Sequence, residues 1–269
     1  MPKVSVIIAA LDAQDFLGEA IDSALAQSFG DFEILIAPDE PHDYSEFAAR
    51  DPRIRVLPGV PLPTGPGPAR NRALDAARGD WIAVLDADDL WSPDYLAELV
   101  PAAEAAGTAF GRTSIRGEDG RELRMVPPRG QGAQAGFGTF ERAFASFHGL
   151  ARRDAGRRWR SVFAEDVLFD LETLALAGGH APLVDKATYL LRLRARSATK
   201  SGAFIKGIGA EYASLIALIE RGETLISSEH HAAAEAVFES WARMNERFLQ
   251  TSAIVPSLAY QTYVAGLDS

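Results

Sequence analysis

The stretch VSVIIAALDAQDFLGEAIDSALAQSFGDFEILIA, residues 4–37, decides the fold class. It opens on a β-branched, apolar run at 4–10, suited to a strand buried on both faces, as a parallel sheet requires. Asp12 and Asp15 follow as a helix N-cap pair, and Phe16, Leu17, Ala20, Ile21, Ala24 and Leu25 then recur at helical spacing. Phe29-Gly30-Asp31 ends that helix, and 32–37 is a second apolar run. Strand, helix and strand in so short a span make a βαβ unit, whose crossover is right-handed almost without exception.

Working outward, 54–57 reads as a third strand, and PGVPLPTGPGP, 58–68, as a loop stiffened by its prolines. A helix is expected from Ala69 to about Arg78, stopped by Gly79, and a strand at 81–85 carries Asp86 on its carboxyl end. Ser92-Pro93 opens another helix, to about 106. Beyond Gly107 the pattern becomes a hairpin, 108–115 and 122–126 around Gly117-Glu118-Asp119-Gly120. Residues 127–138, rich in Gly, Gln and Pro, read as a mobile loop, while 163–177 and 205–248 are helical. The expectation is an α/β fold: a doubly wound mixed sheet flanked by helices, with a helical C-terminal extension. In such sheets ligands bind outside the carboxyl ends of the strands.

A net charge of -10, from 37 acidic and 27 basic residues, argues against a nucleic-acid partner. The absence of cysteine excludes disulfides and thiolate metal sites and suits the cytoplasm. The apolar run before Asp12 is too short for a signal peptide, and no run approaches the ~20 residues that span a bilayer. The chain is read as cytoplasmic, at most peripheral at the inner face of a membrane.

AVLDADDLWSP, 83–93, runs an apolar strand into Asp86, Asp88 and Asp89. Two carboxylates one residue apart on a strand-leaving turn can hold a hard divalent cation whose other ligands are water and phosphate. A calcium loop of the EF-hand type is excluded, because Leu90 and Trp91 stand at a ligand position and at the required glycine. A D-x-D is a weak signal by spacing alone, and the competing reading is a solvated bend with Asp89 capping the next helix.

Residues 4–36, GPARNRALDAARGDWIAVLDADDLWSP (67–93) and FAEDVLF (163–169) together resemble the family 2 glycosyltransferases of the GT-A fold, inverting enzymes with a D-x-D motif. The resemblance implies a hexosyltransferase-like enzyme using a nucleotide-diphosphate sugar, with UDP-sugar favoured, and Mn2+ or Mg2+. It divides the chain into a GT-A domain at 1–200, with a nucleotide-binding half at 1–106 and an acceptor half at 107–200, followed by the extension at 201–269. Its implied acceptor is a saccharide or lipid-linked saccharide, in surface polysaccharide or glycolipid biosynthesis.

Residue by residue, the resemblance makes Asp88 the metal ligand and Asp86 a contact to ribose or a metal-bound water, with Ala87 between them in the donor site. Asp39 would accept a hydrogen bond from a base imide, and the backbone of Ala9 and Ala10 would line the base pocket. Arg70 would face the nucleotide, or be salt-bridged on its helix. Glu165-Asp166 matches the family's acidic pair: Asp166 would be the base that deprotonates the acceptor hydroxyl, unless the pair only stabilises a helix N-terminus. Within 191–197, Arg194 replaces a family histidine and could hold a diphosphate, but cannot ligate a metal.

The sequence departs from the family at Pro38, Ala10, Asp12 and Arg194. These departures motivate a second reading, a degenerate transferase serving as a nucleotide-sugar-binding or assembly subunit. A nucleotidyltransferase is disfavoured, because no Gly-rich loop follows the first strand. Five arginines in RRDAGRRWR, Arg152, Arg153, Arg157, Arg158 and Arg160, read either as a solvated loop or as a basic patch for a lipid-diphosphate acceptor or a peripheral membrane contact. His230 and His231 read as solvent-facing, and residues 205–269 could cover the acceptor side, build a homodimer contact or rest on a membrane.

Overall fold

A computed structural model describes residues 1–130, 132–194, 202–255 and 258–267. Strands β1 (Val4–Ala10), β2 (Phe32–Pro38), β3 (Ile54–Val56) and β4 (Trp81–Val84) are parallel, in the order β3-β2-β1-β4. Helices α1 (Leu17–Leu25), α2 (Ser45–Ala48) and α3 (Pro66–Ala76) occupy the connections. Side chains alternate across β1: Val4, Val6, Ile8 and Ala10 join a core cluster with α1, while Ile7 joins another with Ala69, Ala73 and Leu74 of α3. Fully burying each large aliphatic side chain of this kind contributes about 1.5–3 kcal/mol.

After β4 the chain forms the two-residue strand β5 (Leu90–Trp91), helix α4 (Tyr95–Ala106) and the hairpin β6 (Ala109–Arg116) and β7 (Glu122–Val126). Strand β8 (Gln134–Gly136), helix α5 (Phe137–Ala143) and strand β9 (Gly149–Arg152) follow, then helix α6 (Glu165–Leu176) and strand β10 (His180–Arg192). Strand β9 runs antiparallel to both β4 and β6 and so joins the parallel half to the rest of the sheet. Strand β10 pairs parallel with β6, and beyond a register break its end reaches β5, with Tyr189 opposite Trp91. This crossing delivers β10 to the Asp86–Asp89 turn.

Helices α7 (Gly202–Glu220) and α8 (His231–Ser252) pack on the second half of the sheet, followed by α9 (Tyr260–Ala265). Leu215, Ile219, Val237, Phe238 and Trp241 share one cluster with Phe140, Phe147, Leu168 and Leu171. The C-terminal helices are thus built into the core around α5 and α6. Among the described residues no helix is long and apolar enough to cross a membrane.

Four expectations need correction. Asp12 and Asp15 cap nothing: α1 begins at Leu17 with no side-chain cap, and Asp12 turns to φ 48 with its amide on Glu40 Oε1. Helix α3 starts at Pro66, because a proline in the first turn forfeits no hydrogen bond. Residues 127–138 include β8, whose backbone pairs with β10 and whose Ala135 is buried. His230 packs its ring 5.3 Å from that of Phe137 and lies across the bare Cα of Gly179, so it is not solvent-facing.

Candidate active site

The Asp86–Asp89 turn leaves β4 on the carboxyl side of the parallel strands, where α/β sheets hold ligands. Its first carboxylate is fixed from two directions. The Asp86 amide donates to Tyr189 Oη at 3.0 Å, and Asp86 Oδ1 accepts from Arg70 Nη2 at 2.7 Å. The other arm of the buried Arg70 guanidinium reaches Glu165 Oε1, also at 2.7 Å. Arg70 is thus salt-bridged, the alternative left open for it, as a buried clamp joining α3, the D-x-D turn and α6. Next to it, Asn71 grips the backbone of Trp159 with both ends of its amide. Gly67 makes this approach possible, since a Cβ there would lie 2.5 Å from Arg160 O.

Opposing influences act on the carboxylates. Burial alone would raise the Asp86 pKa, but Arg70 and His148 hold it below the ordinary value. Asp88 is raised, by burial and by the Asp86 charge, against the pull of Arg194. Arg194 Nη2 lies 2.5 Å from Asp88 Oδ2 and its guanidinium sits 4.8 Å from the Phe16 ring centroid. Arg192 secures the same turn: its amide donates to Asp89 Oδ1 at 2.8 Å, and its guanidinium meets Asp88 O and Glu19. Ala195, Arg196 and Ser197, also singled out in the sequence, lie outside the described residues.

Across the cavity, Glu165 and Asp166 occupy the first turn of α6, entered through Ala164 in the left-handed conformation at φ 55. Burial and the neighbouring Asp166 push Glu165 up to about 7, against Arg70. Asp166 is half-buried, and its Oδ2 accepts a hydrogen bond from Ser146 Oγ. Both D-x-D carboxylates, Glu165 and Asp166 line one cavity of about 410 Å³.

His148 and Asp170 were not legible as site residues. His148 is buried beneath the turn, with Nδ1 3.3 Å from Asp170 Oδ2 and its ring 5.3 Å from that of Tyr189. Burial would lower its pKa, but the Asp170 hydrogen bond and the charges of Asp170, Asp86 and Asp166 lift it to about 9. Folding therefore takes up a proton between the ordinary value of 6.5 and about 9. That contribution to stability is complete below the unfolded pKa and is lost as pH rises through the folded one. Urea-unfolding free energies are expected to fall from pH 6.5 to 9, with a shallower fall in His148→Gln. Parallel slopes in the two proteins would show that another group titrates.

The remaining expected residues lie around this centre. Ala9 and Ala10 end β1, and Ala10 O accepts the Asp39 amide at 2.7 Å. The buried Asp39 carboxylate accepts from Thr64 N, Thr64 Oγ1 and Gly65 N, anchoring the loop that enters α3. These three donors take most of the roughly four acceptor directions of a carboxylate, so a base N–H would compete with that loop.

The arginines of the run have partners within the chain, with Arg157 buried and Arg152, Arg153 and Arg158 exposed. Arg157 is buried and bonds Arg152 O, Arg153 bonds Gly79 O, and Arg158 pairs with Asp75 at 2.7 Å. Arg152 pairs with Asp154, and Arg160 meets Glu223 O. Trp159 is stacked on Phe169 with centroids 4.0 Å apart.

A mostly parallel sheet flanked by helices, with carboxylates at its carboxyl edge, is the architecture of GT-A transferases. The Staphylococcus aureus TarS structure (residues 1–349, in complex with UDP-GlcNAc) superposes with a TM-score of 0.64 at 17% identity, covering 88% of this chain and 71% of that one. The mannosyltransferase PcManGT of Pyrobaculum calidifontis, in complex with GDP-Man and Mn2+, gives 0.53 at 16% identity over 98% of this chain and 83% of its own. The model of glycosyl transferase family 2 matches residues 5–167, and the chain belongs to that family. It is 40% identical over 130 residues to the succinoglycan biosynthesis protein ExoO of Rhizobium meliloti (strain 1021), a match covering 46% of this chain and 37% of that relative.

Proposed function

We propose that the chain is an inverting glycosyltransferase that moves a sugar from a nucleoside diphosphate, UDP favoured, to a hydroxyl of a saccharide or lipid-linked saccharide. Surface polysaccharide or glycolipid assembly is the setting that its family relatives favour. The observation that carries this reading is the presence of Asp86, Asp88 and Asp166 on one cavity. In the proposed step Asp166 takes the acceptor hydroxyl proton as that oxygen bonds to the anomeric carbon. The bond from that carbon to the diphosphate oxygen breaks on the opposite face, which inverts the configuration.

Mn2+ or Mg2+ fits the turn. Asp86 and Asp88 would supply hard oxygen ligands, and the Asp88 pKa is raised by burial first and by the Asp86 charge second, against Arg194, a rise that a bound cation would reverse. Among the described residues no group of three or more His, Cys, Asp or Glu is arranged to hold a metal, so water and diphosphate would complete the shell. Bound there, the cation would neutralise charge on the leaving diphosphate. Arg194, already on Asp88, is placed to turn to a phosphate oxygen once a cation takes its position.

Melting temperatures measured with UDP, dTDP, GDP or CDP, each with and without Mn2+, test the donor site. A metal-dependent rise of several degrees is expected for one nucleotide, and it should vanish in Asp88→Ala, because a ligand that binds only the native state raises its stability. An equal rise in wild type and Asp88→Ala would overturn the metal assignment. Donor binding with no transfer to any acceptor would favour the non-catalytic reading instead.

A further inference from the structure

The active-site cavity has a second end built from residues beyond the family match at 5–167. There Ile208 and Tyr212 of α7, Trp241 of α8 and Tyr260 of α9 line the cavity together with Phe144. The two ends are linked through one short loop, since Ser146, which bonds the Asp166 carboxylate, is two residues from Phe144. The rings brace one another: Tyr212 stands edge-on to Trp241 at 6.2 Å, and Phe144 lies 6.3 Å from the same indole.

The indole and amide groups at this end are engaged within the protein, and the Tyr212 and Tyr260 hydroxyls are the other polar atoms there. Trp241 Nε1 donates to Phe140 O at 2.9 Å, so the indole offers the cavity its carbon surface. Gln261 donates to Phe144 O at 3.1 Å and accepts from Arg124, and Asn245 is itself engaged. A sugar ring placed here would bury more hydroxyls than the two phenols can partner, which is unfavourable, whereas a carbon-rich group would lose only contact with water.

Resting on the transferase reading above, we propose that this end receives an aliphatic or aromatic group carried by the acceptor beside the hydroxyl that Asp166 deprotonates. Trp241 and Tyr260 then select the acceptor by its aglycone. The donor and the base need no such wall, so it is specific to the acceptor.

Calorimetric titration of the full chain with n-hexyl and methyl β-glycosides, as matched gluco, galacto and manno pairs, tests this without catalysis. Hexyl is expected to bind at least about tenfold more tightly in one pair or more, given the free energy of burying methylenes. Tyr260→Ser, at a half-buried position, should bring that ratio below about threefold, and Trp241→Phe should reduce it too, with the Tm of each variant checking that the fold is retained. No preference in any pair, or a preference untouched by both variants, would overturn the proposal. The nucleotide melting series, run on the same preparations, reports the donor site separately. Its failure alongside a retained hexyl preference would sink the transferase reading and leave the apolar site standing.

Discussion

Asp166→Asn is expected to lower kcat for sugar transfer by a factor of roughly 10²–10⁴ while leaving nucleotide binding unchanged, the range for removing a general base. The substitution keeps the shape of the side chain and can keep an oxygen for the Ser146 hydroxyl, so α6 should start where it does now. What it removes is the ability to accept the acceptor proton. Glu165 cannot substitute, because its carboxylate is buried and held by Arg70. The discriminating measurement pairs steady-state transfer with the nucleotide melting shift. A fall in kcat with an intact shift separates chemistry from binding. Transfer at wild-type rate in Asp166→Asn would remove this residue from the mechanism.

The parallel half of the sheet was legible because its signals are local. Apolar runs at 4–10 and 32–37 flank one amphipathic helix, and both appear within a residue of the expected ends. Strands β5, β8 and β9 were invisible for the opposite reason. They are two to four residues long, and only distant partners define them. Strand β10 escaped notice although it is long, because its register breaks between Leu183 and Thr188 and no single alternation runs through it.

The site divides similarly. Asp86, Asp88, Glu165 and Asp166 stand in short motifs, and the structure gathers all four on one cavity. His148 lies in no pattern at all, and Asp170 gives only a faint signal, one helical turn beyond Asp166. Their pairing depends on β9 and α6 meeting beneath the turn, a tertiary fact. Asp39 at the end of a strand and Arg70 on a helix were legible in position, but the motif could not reveal which way they turn. Burial decides that: each satisfies its charge inside the protein, Asp39 on backbone amides and Arg70 on two carboxylates.

That arrangement makes Arg70→Met the substitution expected to destabilise the fold most. Methionine fills similar space but leaves Asp86 and Glu165 facing each other without the intervening cation. Removing one partner of a buried ion pair is destabilising by about 3–5 kcal/mol. In a domain of this size that corresponds to a fall in Tm of roughly 6–20 °C. The loss should also depend on pH. Glu165 titrates near 7 in the folded chain, above its ordinary 4.5, so the native state holds the extra proton across that window. Stability therefore declines as pH rises through it. Without Arg70 the ionised form is less favoured still, and the decline should steepen and extend above pH 7. The double variant Arg70→Met/Glu165→Gln removes one of the two stranded charges and should recover part of the loss, a coupling that a double-mutant cycle measures directly. A Tm within about 2 °C of wild type for Arg70→Met would mean that water reaches both carboxylates, and that α3 and α6 are held together by the Asn71–Trp159 clasp instead.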